Sequence, residues 1–229
     1  MKIFNTLSGK KEIFEPIEDN KIRMYVCGMT VYDDTHIGHA RTFLSFDLIV
    51  RYLRSIDYEV QYIRNITDVD DKIIARSEEL NISPSELTKD CINSMHDDFH
   101  ALGMISPDAE PRATENIDSI ISLITKLIDK GHAYVSESDV YFSTESFEEY
   151  GKLSKRKLED MLSGARIDID LDKKNPADFV LWKKDTEGLK WDSPWGPGRP
   201  GWHIECSAMS MDALGETFDI HGGGSDLKF

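Results

Sequence analysis

"KIRMYVCGMTVYDDTHIGHARTFLSFDLIVRYLRSIDYEVQYIRNIT", residues 21–67, holds a complete strand–loop–helix–strand pattern. "KIRMYVCG" predicts a strand over 21–27, stopped by Gly28. In "HARTFLSFDLIVRYLRSI" the residues Phe43, Leu44, Leu48, Ile49, Tyr52 and Leu53 recur at helical spacing. "YEVQYIRNIT" predicts a second strand. A βαβ unit of this kind implies an α/β fold with a parallel sheet, and ligands bind such sheets at the carboxyl ends of the strands.

Outward from this unit the pattern stays helical for a while. "TDVDDKIIARSEEL" predicts a helix whose acidic start suits the positive end of the helix dipole. "SPSE" at 83–86 is a capping box with Pro84 at the first helical position, so a helix is expected to run to about Leu102 and stop at Gly103. "ATENIDSIISLITKLIDKG" predicts another helix with Gly131 just past its end, and "HAYVSESDVYFS" predicts a β-hairpin. Residues 145–200 read as charged and irregular, ending in the Pro/Gly-rich "WDSPWGPGRPG". Then "GWHIECSAMSMDALG" resumes a helical pattern, and "ETFDIHGGGSDL" predicts a strand entering a glycine-rich loop. The expected organisation is 1–110 as the first half of a nucleotide-binding domain, 111–200 as an inserted mixed α+β segment, and 201–229 as the start of the second half.

The bulk numbers bound the chemistry. With 229 residues, 40% hydrophobic and 30% charged, the chain has the composition of a globular protein. No apolar run is long enough to span a bilayer and the N-terminus lacks a signal-peptide core, so a cytoplasmic address and no membrane partner are expected. Three cysteines, at 27, 91 and 206, make no disulfide framework. A net charge of −15 disfavours a general phosphate-backbone binder. The densest basic cluster, "KLSKRK" at 152–157, reads either as a solvated surface or as a contact to nucleic-acid phosphates.

Four features carry chemistry. "THIGHA" puts His36 and His39 at a helix N-terminus after a strand, where free amides and the dipole already favour anions. Gly38 between them leaves room for close approach of a ligand. Cys27 ends the first strand and Cys206 follows "GWHIE"; each reads as a small core residue or as a thiolate metal ligand, and two further ligands are not evident, His203 and His221 being the nearest alternatives. Cys91 looks structural. "HGGGSDL" allows close backbone approach at Gly224, with Asp226 as an acceptor for ribose hydroxyls, or is a plain tight turn. "NITDVDDK" offers Thr67, Asp68, Asp70 and Asp71, with the acids reading as a helix cap and solvated charges, and Trp202 is a pocket wall or a core aromatic.

Together, "YVCGMTVYDDTHIGHART", "NITDVDDKI", "YGKLSKRKLEDMLSGARI" and "PGWHIECSAMSMDALGETFDIHGGGSDL" closely resemble the cysteinyl-tRNA synthetases, along essentially the whole chain. The resemblance implies a Rossmann-like doubly wound parallel sheet of a class I synthetase, carrying a connective insertion. It implies that "HIGH" at 36–39 embraces ATP phosphates, supplied with Mg2+, while Gly38, Gly224 and Asp226 face the nucleotide. Cys27 and Cys206 match two of the family's Zn2+ ligands; the other two, a histidine and a glutamate, are expected after Phe229, as is the lysine-bearing "KMSKS" loop. Thr67 and Trp202 would line the cysteine pocket. The implied reaction activates L-cysteine with ATP and transfers it to tRNA(Cys), in a protein expected to be a monomer, with these 229 residues as its N-terminal portion, inactive alone. Two alternatives are the adenylate-forming cysteine ligase of mycothiol synthesis and a truncated, non-catalytic nucleotide- or partner-binding module.

Overall fold

The computed structural model describes residues 1–137, 139–155, 172–186, 188–224 and 227. Nine strands and five α-helices are found among them: β1 Lys2–Asn5, β2 Lys10–Ile13, β3 Lys21–Val26, α1 Ile37–Ser55, β4 Glu59–Arg64, α2 Asp71–Leu80, α3 Pro84–Ala101, α4 Ile117–Asp129, β5 Ala133–Val135, β6 Asp139–Phe142, β7 Phe179–Lys184, β8 Gly198–Pro200, α5 Ile204–Leu214 and β9 Ile220–Gly222.

The central sheet has the order β4-β3-β9, all parallel. β3 is its middle strand, so its side chains are covered on both faces. Ile22, Met24 and Val26 face one core with Phe43, Val50 and Leu53 of α1 and Ile92, Met95 and Phe99 of α3. Tyr25 faces the other side, where Ile63 of β4 meets Met209 and Leu214 of α5. Helices therefore cover both faces of the sheet, as a doubly wound fold requires.

The helix boundaries follow their caps. Ser83 accepts from the Glu86 amide at 3.1 Å, and Pro84 opens α3. Gly103 and Gly131 follow α3 and α4 with φ of 70° and 78°. α2 starts later than the sequence reading, at Asp71: residues 67–70 stay extended because Thr67 bridges to Thr30 and Asp70 caps the helix by accepting from the Lys72 amide. The acids of this segment divide. Asp70 is a cap as expected, but Asp68 is buried, accepting from the amide and hydroxyl of Thr114.

A second sheet, antiparallel with the order β5-β6-β7-β8, holds the expected hairpin at β5 and β6. Its other two strands correct the irregular reading of 145–200. β7 is "FVLWKK", a short apolar run among charges, and it becomes a strand by pairing with the distant β6. Its core joins Leu181 and Trp182 to Ile120 and Ile124 of α4 and to Ile204 and Ala208 of α5. An N-terminal hairpin, β1 with β2, was also absent from the sequence reading. Of the basic cluster, Lys152 pairs with Glu149, while Arg156 and Lys157 lie outside the described residues. No helix among the described residues is long and apolar enough to cross a membrane.

Gly28 sets the spacing at the end of β3. A Cβ there would stand 1.7 Å from the Asn65 carbonyl oxygen. Gly28→Ala is therefore expected to cost about 1–3 kcal/mol or more, as overpacking does. Thermal unfolding checks it, and an unchanged midpoint would show that the two strand ends separate freely.

Candidate active site

His36 is the N-cap of α1, with extended backbone. Its Nδ1 accepts from the Gly38 amide at 3.0 Å, and His39 Nδ1 faces the His36 amide at 3.4 Å. The two rings stack at 3.8 Å with an interplanar angle of 21°. An Nδ1 that accepts places the proton on Nε2, so both rings offer outward N–H donors beside the first-turn amides. Burial, and then the neighbouring His36, hold the His39 pKa below the usual imidazole range, so it donates as a neutral ring. Gly38 is exposed, and its missing side chain serves the cap itself: a Cβ would meet the His36 ring at 2.7 Å.

Cys27 follows β3, its amide bonded to the Gly222 carbonyl of β9 at 2.9 Å. Cys206 sits in the first turn of α5, three residues after His203, the N-cap. The ligand atoms of Cys27, His203 and Cys206 all lie within 4.8 Å of one another. His221 Nε2 is a further 3.3 Å neighbour of the Cys27 sulfur. The two thiols are both buried. The neighbouring Cys206 side chain, and with it His221, holds Cys27 well below the usual thiol range. The neighbouring Cys27, and burial, push Cys206 up. Two sulfurs and an imidazole at this spacing are a donor set that suits zinc.

Asn65, 1% exposed, joins the parts. Its Oδ1 accepts from the Gly28 amide at 2.8 Å and from the Cys206 thiol at 3.7 Å. Its Nδ2 donates to Thr67 Oγ1 at 3.2 Å, and Thr67 reaches Glu205 Oε1 at 3.5 Å. Glu205 is buried, and burial pushes its pKa up to about 8. Trp202 stacks on His203 at 4.3 Å and is 54% exposed, so it is a wall and not a core aromatic.

A cavity of about 790 Å³ takes in Cys27, His203, Cys206, His221 and Gly224. Of the residues singled out in the sequence, this cavity takes in Cys27, Cys206 and Gly224, while Trp202 adjoins through its stack on His203 and Thr67 through Asn65. His36 and His39 stand apart on the same loop from β3, and Asp226 lies outside the described residues. Sequence reasoning held His203 only as an alternative and missed Asn65 and Glu205. His203 had a signal: a His three residues before a Cys at a helix start places both on one face.

Residues 13–229 match the family described as tRNA synthetases class I (C) catalytic domain. The chain is similar along its whole length to the cysteine–tRNA ligases of Hahella chejuensis (59% identical), Marinomonas sp. (61%) and Haemophilus influenzae (60%), covering 50% of each. It thus spans about half the length of these relatives. Among solved structures, Mycobacterium tuberculosis methionyl-tRNA synthetase in complex with methionyl-adenylate superposes with a TM-score of 0.70 at 12% identity, over 90% of this chain and 52% of that one. A second structure of that synthetase, bound by methionyl-adenylate, gives 0.66 at 12% identity, over 85% and 47%. The second likeness, like the first, speaks for the fold alone: a class I synthetase α/β domain. With 217 of its 229 residues (13–229) inside the matched region, the chain belongs to the class I (C) tRNA synthetase catalytic-domain family.

Proposed function

We propose that the protein activates L-cysteine with ATP to give cysteinyl-adenylate and pyrophosphate, and then transfers the cysteinyl group to the 3′ end of tRNA(Cys). The observation that supports this reading is a sulfur-and-imidazole cluster at the end of β3, with a histidine-capped helix N-terminus farther along the loop that leaves the same strand. In the first step the cysteine carboxylate attacks the α-phosphorus of ATP and pyrophosphate leaves. The carboxylate is already ionised, so no general base is needed, and positioning with charge stabilisation supplies the rate.

His36 and His39 donate to phosphate oxygens as charge moves onto them. Gly224 and Asp226 are assigned to the ribose side of ATP, which enters with Mg2+. Cys27 and Cys206, with His203, would hold a zinc ion. Such an ion supplies a soft Lewis acid that takes a thiolate far better than a neutral hydroxyl, which separates cysteine from serine where shape alone does poorly. Thr67 and Trp202 close the pocket around the rest of the amino acid. Asn65 keeps the loop carrying Cys27 in register with Cys206.

Two outcomes test this reading. In enzyme expressed from its complete gene, Cys27→Ser is expected to raise the KM for cysteine in pyrophosphate exchange. His39→Ala is expected to lower kcat and kcat/KM together by about 10²–10³, as loss of one preorganised donor does. The same KM for cysteine after Cys27→Ser, or a His39→Ala variant altered only in that KM, defeats the division of roles.

Equilibrium dialysis tests the metal. With two of the expected ligands beyond Phe229, the 229-residue chain is expected to hold zinc more weakly than enzyme expressed from its complete gene, and to lose it in Cys206→Ser. His203→Ala should weaken binding by at least the 10–100-fold, about, that loss of an outer-shell partner brings. Retained affinity in that variant would remove His203 from the ligand set.

A further inference from the structure

The N-terminal hairpin forms one wall of the cavity that holds the sulfur cluster: Phe4, Asn5, Glu12 and Ile13 line it, as does Leu153. Register and alternation fix which side chains share a face of this hairpin. Phe4 stands opposite Lys11 and Lys2 opposite Ile13, so all four lie on one side of the two strands. All four are exposed, Phe4 by 58% and Ile13 by 68%. Directly opposed side chains in an antiparallel pair have Cβ atoms about 4.5–5.5 Å apart, so the Phe4 ring and the Lys11 side chain belong to one surface.

The segment at 151–155 extends this surface. A Cβ on Gly9, in the hairpin turn, would stand 2.2 Å from Lys155 Nζ, so a third cation is laid against the turn. Lys2, Lys11 and Lys155 take part in no ion pair among the described residues, whereas Lys152 is matched by Glu149. Glu12 sits on the opposite face of the hairpin, across from Ile3, and accepts from Asn5 Nδ2 at 2.9 Å.

Lysines on a hairpin commonly guard its edges against pairing with another strand. A bare phenyl ring between them works against that purpose, because it offers apolar surface to any partner. Ring and cations together suit a different ligand. A single-stranded nucleic acid presents bases that stack on the ring and phosphates that pair with the ammonium groups. The rest of a chain of net charge −15 repels such a ligand, which confines it to this face.

We propose that this hairpin face, Phe4 flanked by Lys2 and Lys11 with Lys155 at the turn, binds the single-stranded 3′ tail of the RNA substrate and guides it into the cavity. The assignment rests on the tRNA-charging reading above and gives the tail its route. The hairpin carries none of the residues assigned to cysteine or to ATP, so changes on it are expected to spare the first step.

The test uses enzyme expressed from its complete gene and two probes: a tRNA(Cys) transcript, and the same transcript without its single-stranded 3′ tail. In Phe4→Ala, affinity for the full transcript, read by fluorescence anisotropy, is expected to fall about 5–100-fold, the value of one stacked base. Affinity for the shortened transcript and cysteine-dependent pyrophosphate exchange should keep their wild-type values. Phe4→Trp should retain the affinity for the full transcript, and Phe4→Leu should not. Lys11→Gln should reduce the salt slope of full-transcript binding by about 0.7, the single-strand value for one phosphate. Equal losses for both transcripts in Phe4→Ala, no loss for either, or an unchanged salt slope in Lys11→Gln overturns the proposal. So does a Phe4→Leu variant that binds as the wild type does, because the face would then be apolar cover for another part of the protein. Failure of the underlying reading looks different: the wild type would show no cysteine-dependent pyrophosphate exchange, and the proposal would fall with it.

Discussion

The loop after β3 passes so close to the end of β4 that only a residue without a side chain fits at position 28. Much of the site depends on this approach. It brings the Gly28 amide onto the Asn65 side chain, and that same amide group reaches the Cys206 thiol and the Thr67 hydroxyl. One buried polar residue thereby ties together β3, β4 and α5. A buried amide is costly when unmet and rigidifying when satisfied. Here it fixes the sulfur cluster and the root of the loop that runs on to His36, so the anion-binding helix end and the thiols share a frame.

α5 is held by two cores at once. Ile204 and Ala208 pack with α4 and the antiparallel sheet, whereas Cys206, Met209 and Leu214 pack against the parallel sheet. Asp71 adds a polar tie, joining α2 to Lys183 and Arg199 of the second sheet. The helix that carries His203, Glu205 and Cys206 therefore cannot shift against one sheet without disturbing the other. Interfaces packed on two sides respond to displacement as a unit, which is how a site keeps sub-ångström geometry without covalent ties.

What the sequence made legible was local. The β3–α1–β4 unit could be read because its periodicities are strong and its connection short, and α3 because Ser83, Pro84 and Glu86 mark its start. β7 and β8 could not, since their strand character comes from pairing, β7 with β6 about 40 residues earlier and β8 in turn with β7, within a segment otherwise rich in charge, proline and glycine. The β1–β2 hairpin escaped for a related reason: "KIFN" and "KKEI" are too short and too polar to stand out. In the site, Cys27 and Cys206 were joined only by resemblance, because no spacing rule links residues so far apart. Asn65 and Glu205 carried no signal at all. Their roles arise from burial, which a single sequence does not display.

Local rules are broken most densely in the four residues His203 to Cys206. His203 holds φ at 79°, a left-handed conformation that costs a β-carbon-bearing residue about 1–3 kcal/mol. Glu205 is a buried acid, and Cys206 is a buried thiol whose proton goes to Asn65. Each is unfavourable for folding, and each turns a polar atom toward a cavity or the thiol cluster. The apolar contacts of Ile204, Ala208 and Met209, interleaved with these residues, offset the cost and keep α5 seated. Stability and chemistry are thus divided residue by residue along one helix start, with the strained positions facing the ligand space and their neighbours facing the cores.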